Sequence, residues 1–356
     1  MAYTTIDDPT AYFQTALWTG NGSARSITLD GNSDMQPDWV WIKRRNSARN
    51  HALLDSVRGG SKQLISNSTA AEGTDAQLIT SFDSDGFSLG TSNDCNSSSD
   101  TFLGWSWKAG TSFTNDASST GIGTIDSTGS VNQTAGFSIV SYTGNATDNA
   151  SVKHGLNTAP KMVIIKDLSD TSTWGVWHQT LTNGGYKLTL NTNSAQVDDS
   201  AFIGGSNRAI PTSSVFFLGS GGGGNGTNAN IAYCFSEVKG YSKVGSYTGN
   251  GNVDGTFVHT GFKPAWILTK CIDTARNWNI RDNKINPFNV TEAFLEANGS
   301  TAEQTDPGYS SIDILSNGFK HRGVGGDTNV SGDDYIFMAF AESPFVTSTG
   351  VPATAR

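Results

Sequence analysis

Three stretches of this chain share one form. Pro37-Asp38-Trp39-Val40-Trp41-Ile42-Lys43, Pro160-Lys161-Met162-Val163-Ile164-Ile165-Lys166 and Pro264-Ala265-Trp266-Ile267-Leu268-Thr269-Lys270 each run from a proline to a lysine six positions on. Proline fixes φ and cannot donate to a ladder, so it predicts the first residue of a strand. The β-branched and aromatic run behind it reads as that strand. Alternation puts Trp39, Trp41 and Lys43 on one side and Val40 and Ile42 on the other. Both sides are largely apolar, which predicts a strand held between two layers.

The rest of the chain repeats around these anchors, and a repeat constrains the fold more than local propensity does. Upstream, Leu17-Trp18-Thr19-Gly20-Asn21-Gly22 matches Ser141-Tyr142-Thr143-Gly144-Asn145 and Ser246-Tyr247-Thr248-Gly249-Asn250-Gly251. Downstream, His51-Ala52-Leu53-Leu54-Asp55 matches Trp174-Gly175-Val176-Trp177-His178 and Trp278-Asn279-Ile280-Arg281-Asp282. Leu64-Ile65-Ser66-Asn67 then matches Leu188-Thr189-Leu190-Asn191 and Leu295-Glu296-Ala297-Asn298. A turn with phenylalanine follows at Phe87, Phe216 and Phe319, and each unit closes on an apolar strand at 102–107, 231–235 and 336–340. The order of markers predicts an all-β chain of three tandem homologous, jelly-roll-like β-sandwich units over residues 1–110, 136–240 and 241–356. Residues 111–135, rich in Gly, Ser and Thr, read as a linker or long loop. Glu292–Ala297 is the best helix former in the chain, yet the repeat predicts strand for Phe294–Asn298.

Composition narrows the function. The formal net charge is −9, which argues against a nucleic-acid or anionic-membrane binder. The one basic cluster, Lys43-Arg44-Arg45 with Arg49, reads as a solvated loop. Cys95, Cys234 and Cys271 are odd in number and have no paired spacing, so no disulfide framework is expected. The start of the chain lacks the pattern of a signal peptide, and no segment has the apolar length of a membrane span.

Motifs with chemistry are few. Gly221–Gly226 satisfies G-x-G-x-x-G, but a strand and not a helix follows, so it reads as a loop. Asp327–Gly332 starts like a calcium loop, but Met338 stands where the bidentate glutamate belongs. His51, His154, His178, His259 and His321 have no zinc spacing. No G-x-S-x-G elbow is present, and neither cofactor nor metal is expected. Paired carboxylates for glycoside cleavage are not readable before folding. Trp177, whose counterparts are Leu54 and Arg281, is the best tryptophan for stacking on a sugar. Recognition is expected in the loops Ser92–Asp100, Gly219–Asn230 and Thr301–Ser310, where Asn93, Asn96, Asn225 and Asn228 offer amides to sugar hydroxyls.

Particular phrases add a resemblance. They include Thr4-Thr5-Ile6-Asp7-Asp8-Pro9, Phe13-Gln14-Thr15, Gln36–Lys43, Asp55-Ser56-Val57-Arg58-Gly59, Gly136–Val140 and His154-Gly155-Leu156. With the tail from Ala341 to Arg356, they resemble a family of repeat-containing virion structural and tail-fibre proteins of marine tailed bacteriophages. The resemblance implies a non-enzymatic protein of the particle surface, assembled in the host cytoplasm beside other virion proteins, with no catalytic residues. It implies a homo-oligomer, a trimer by preference, and a tail fibre or tip that recognises an envelope glycan or protein. Capsid decoration or a head fibre is the alternative. A polysaccharide-degrading tailspike is a further one, although the short-period β-helix repeat usual there is lacking.

Overall fold

The computed structural model describes residues 3–354. Met1 and Ala2 of the start and Ala355 and Arg356 of the tail lie outside them. The chain is all-β, with one short α-helix, Ala117–Thr120, and one 3₁₀ turn, Pro9–Ala11, among the described residues.

One strand order occurs three times. The opening strand pairs the closing strand, the closing strand pairs the anchor, and the anchor pairs a return strand. In the first sandwich these are Phe13–Thr19, Thr101–Trp107, Trp39–Arg44 and Ala52–Asp55. In the second they are Phe137–Thr143, Ala229–Phe235, Met162–Asp167 and Gly175–His178. In the third they are Ser242–Thr248, Asp334–Pro344, Phe262–Cys271 and Asn279–Asp282. A small outer sheet covers each: Arg25–Ile27 with Gly86–Leu89 and Ile79–Asp83, Ala150–Lys153 with Val215–Leu218, and Phe257–His259 with Gly318–His321 and Ile312–Leu315.

Each anchor strand lies between two cores, as its apolar faces require. Val40 and Ile42 join the core of the first sandwich, Val163 and Ile165 that of the second, and Ile267 and Cys271 that of the third. The opposite faces, Trp39 and Trp41, Met162 and Ile164, and Trp266 and Leu268, meet in one central core shared by all three sandwiches. Its closing-strand residues Trp107 and Phe235 both pack edge-on to Phe340, at ring-centroid distances of 5.7 and 6.1 Å. Aromatic pairs of this geometry add about 0.5–1.5 kcal/mol each beyond area burial.

Around this core the sandwiches bond head to tail. His51 Nε2 lies 3.0 Å from the Glu296 oxygen, Trp174 Nε1 donates to the Ile65 oxygen at 2.9 Å, and Trp278 Nε1 donates to the Thr189 oxygen at 2.9 Å. Donors and acceptors occupy matching places, so first bonds third, second bonds first and third bonds second. Main-chain pairs follow the same rule: Arg49 N to Ser300 O at 2.8 Å, Ser172 N to Thr69 O at 2.9 Å, and Arg276 N to Asn193 O at 2.8 Å. Three heterologous contacts of this kind close a ring.

The anchor lysines sit in these seams and are fully buried. Each Nζ donates to the carbonyl of the next residue, Arg44 at 3.0 Å, Asp167 at 2.6 Å and Cys271 at 2.6 Å. Lys43 also reaches Ser300 O and Lys270 reaches Asn193 O, both at 3.2 Å and both across a seam. Burial pulls each of the three ammonium groups down to about 8.

The structure departs from the sequence reading in three places. Residues 111–135 are not a free linker: Thr111–Asn115 and Ser127–Asn132 extend the sheet of the second sandwich beside its opening strand. Gly129 pairs with Val140 there, and a side chain at Gly129 would collide with the Ile139 carbonyl. None of the three prolines starts a strand: Pro37 and Pro160 lie two residues before anchors that begin at Trp39 and Met162, whereas Pro264 lies inside its strand at a register shift. A bulge accommodates the missing N–H. The helix-forming segment is a strand as the repeat predicts, but over Ala293–Glu296, with a turn at Ala297 and Asn298.

Candidate recognition face

One end of the ring carries the Thr-Gly-Asn turns and the loops that precede the closing strands. A buried asparagine organises this end in each sandwich. Asn96 Oδ1 accepts from Asn21 N at 3.1 Å, Asn225 Oδ1 from Asn145 N at 2.9 Å, and Asn329 Oδ1 from Asn250 N at 3.0 Å. Their amide nitrogens donate to main-chain oxygens: Asn96 to Ser23 and Gly90, Asn225 to Thr147 and Gly219, and Asn329 to Asn252 and Gly323. The turn glycines follow from the same packing. A Cβ on Gly20, Gly144 or Gly249 would strike the carbonyl of Ser97, Gly226 or Val330.

These bonds correct part of the sequence reading. Asn96 and Asn225 are fully buried and use their amides on the chain, so they hold loops and cannot grip a ligand. Trp177 is 3% exposed and lies in the core of the second sandwich, because both faces of its strand are covered. Asn93 and Asn228 stay accessible. Asn228 Nδ2 bridges Asp167 Oδ2 at 3.0 Å and Asp170 Oδ2 at 2.9 Å, and only the main-chain oxygen of Asn93 is engaged, by Arg44 at 2.6 Å. The glycine run is folded back, with Gly221 N on Ala201 O at 2.6 Å and the Tyr142 hydroxyl on Gly224 O at 2.6 Å.

Two of the three variable loops meet at the seam between the first and third sandwiches. Arg49 binds Asp94 at 2.5 Å and is tied through its N–H to Ser300, while Arg45 binds Glu303 at 2.6 Å. Ala48, Arg49, Asn50, Asp94 and Ser300 line an open hollow of about 370 Å³. The side chains of Arg49 and Asn50 are exposed there, and Asn93 adjoins Asp94. A guanidinium, a carboxylate and amides in one shallow hollow suit a ligand rich in hydroxyl groups. Sequence reasoning found the two loops but missed Arg49 and Asn50, which it assigned to a solvated loop or left unnamed. The loop 219–230 belongs to another sandwich and does not line this hollow.

Among the described residues, no group of three or more His, Cys, Asp or Glu side chains could hold a metal ion, and no helix is long and apolar enough to cross a membrane. Fold and face together define an all-β protein of three sandwiches closed in a ring, with its loops gathered at one end. The chain belongs to a family described as a domain of unknown function, DUF7483, which matches residues 8–344. No curated protein and no solved structure matches it.

Proposed function

We propose that this is a virion structural protein of the particle surface, a tail-fibre or tail-tip component that recognises the host envelope through the loop end of the ring. The three sandwiches are copies of one unit, and the chain is the single-chain counterpart of a trimer. The resemblance to phage tail-fibre proteins supports the placement on a particle. The observation that carries recognition is the polar hollow at Arg49, Asn50 and Asp94, where loops of two sandwiches converge on rigid strands. A rigid frame with hydroxyl-binding side chains at one end is suited to an envelope glycan. No catalytic role is assigned to any residue.

Adsorption competition tests this reading. The purified protein, added to host cells, should block attachment of the particle that carries it. The pair Arg49→Ala and Asn93→Ala should weaken that block about tenfold, corresponding to about 1.4 kcal/mol of binding, with the thermal midpoint little changed. Unchanged competition by the variant removes the hollow from recognition, and no competition by the wild-type protein removes host binding. Deleting the glycine run would be a poor test, because Gly221–Gly226 includes the buried Asn225.

Capsid decoration is the second reading. A closed ring built of three sandwiches matches a site of threefold symmetry, which a shell offers as readily as a tail.

A further inference from the structure

The core of the third sandwich is polar where the other two are apolar. Strand register places Arg281 where the first and second sandwiches have Leu54 and Trp177. It places Asn279 where they have Ala52 and Gly175. His321 stands where they have Leu89 and Leu218. Arg281 is 2% exposed, and among the described residues its guanidinium donates to main-chain carbonyls and to no carboxylate. Nη1 donates to Glu292 O at 2.8 Å and Ala293 O at 3.1 Å, Nη2 donates to Ser310 O, and Nε has no partner. The cation lies 4.8 Å over the Phe294 ring, and Asp306 acts on it only at a distance.

Other polar atoms of the third sandwich are equally unpaired. Both ring nitrogens of His321, both amide atoms of Asn279 and the hydroxyls of Thr291 and Thr328 are buried without partners. Burial, and to a smaller extent the charge of Arg281, keeps the His321 imidazole neutral. A neutral imidazole still has an N–H to donate. A buried cation without an anionic partner is costly, as is every unpaired donor beside it. One bound anion would answer both deficits.

We propose that the third sandwich holds a small inorganic anion, of the halide or oxyanion class, at Arg281 Nε. The loop Asp306–Ser310 closes the site through its carbonyl on Arg281.

Crystals of the full chain grown in bromide and, separately, in phosphate test the site directly. Anomalous bromide density or tetrahedral phosphate density at Arg281 Nε is expected, and which of the two appears assigns the class. Water alone in both overturns the proposal. Thermal melts provide the second arm. The wild-type midpoint should rise saturably by about 3 °C on adding sodium chloride or sodium phosphate to an anion-poor buffer. Arg281→Leu should lose that rise, and so should Arg281→Leu with His321→Leu, which restores the residues of the first sandwich. A variant that responds like the wild type overturns the site.

Discussion

Trp174 of the second sandwich donates its indole N–H to the main-chain oxygen of Ile65 in the first, at 2.9 Å. Trp278 and Thr189 repeat the bond between the third and second, and His51 and Glu296 complete the ring. Trp174→Phe or Trp278→Phe keeps an aromatic ring in the central core but removes the indole N–H, leaving the Ile65 or Thr189 oxygen with its turn bond from Ser68 N or Thr192 N alone. Each should cost about 0.5–1.5 kcal/mol. Because the central core joins all three sandwiches, guanidinium unfolding should remain one cooperative transition in the wild-type protein. Three separable transitions, by fluorescence and circular dichroism, would show that the sandwiches fold alone.

The buried asparagines hold the loop end. Asn225→Ala removes an acceptor for Asn145 N and a donor for two carbonyls. A loss of about 2–3 kcal/mol in denaturant stability is expected. The exposed change Asn93→Ala should cost no more than about 0.5 kcal/mol.

The anchor lysines set an alkaline response. Their folded values of about 8 lie below the ordinary 10.5. Below pH 8 both states carry these protons, and stability does not respond to them. Between pH 8 and 10.5 the unfolded chain holds protons that the folded chain has released, so stability should rise with pH. The denaturation midpoint at pH 9.5 should exceed that at pH 7.5, and Lys270→Met should flatten part of the rise. A midpoint that falls over this range would contradict the assignment.

The buried histidines set a response of the same sense in the acid range: here too stability rises with pH. Burial lowers His51, His178 and His321 to about 3 and His154 to about 4. As pH falls below the ordinary 6.5, the unfolded chain takes up protons that the folded chain refuses, so stability drops. Each group contributes about 1.4 kcal/mol per pH unit in that window. His178→Asn should reduce the slope of midpoint against pH between 6 and 4.5.

Sedimentation addresses assembly. The ring closes within one chain, so the purified protein should run as a 37.6 kDa monomer. A species of three times that mass would instead be the homotrimer that the resemblance implies, with its contacts outside the ring.

The anchors were legible because a strand apolar on both faces has few places to go. Val40 and Ile42 against Trp39 and Trp41 already implied two cores, and the structure supplies both. Strand at Ala293–Glu296 was legible only through the repeat, since its local propensity is helical. The strands at 111–115 and 127–132 were not legible, because Ser, Thr and Gly pair by main-chain bonds and show no apolar alternation. Trp177 was misread although its strand has the same two-sided apolar pattern as the anchors. The buried asparagines were half legible: Asn96, Asn225 and Asn329 each lie just before a closing strand, a recurrence that identifies a structural pin and not a loose amide. The hollow at Arg49 was hidden, since it depends on Ser300 arriving from the far end of the chain.

Cryo-electron microscopy of the virus particles proposed to carry this protein is the most direct test of the proposed host recognition. A three-lobed density at the tail tip, with the loops at Arg49, Asn145 and Asn250 facing outward, is the expected result. Density on the capsid shell alone, or no such density on the particle, would contradict it.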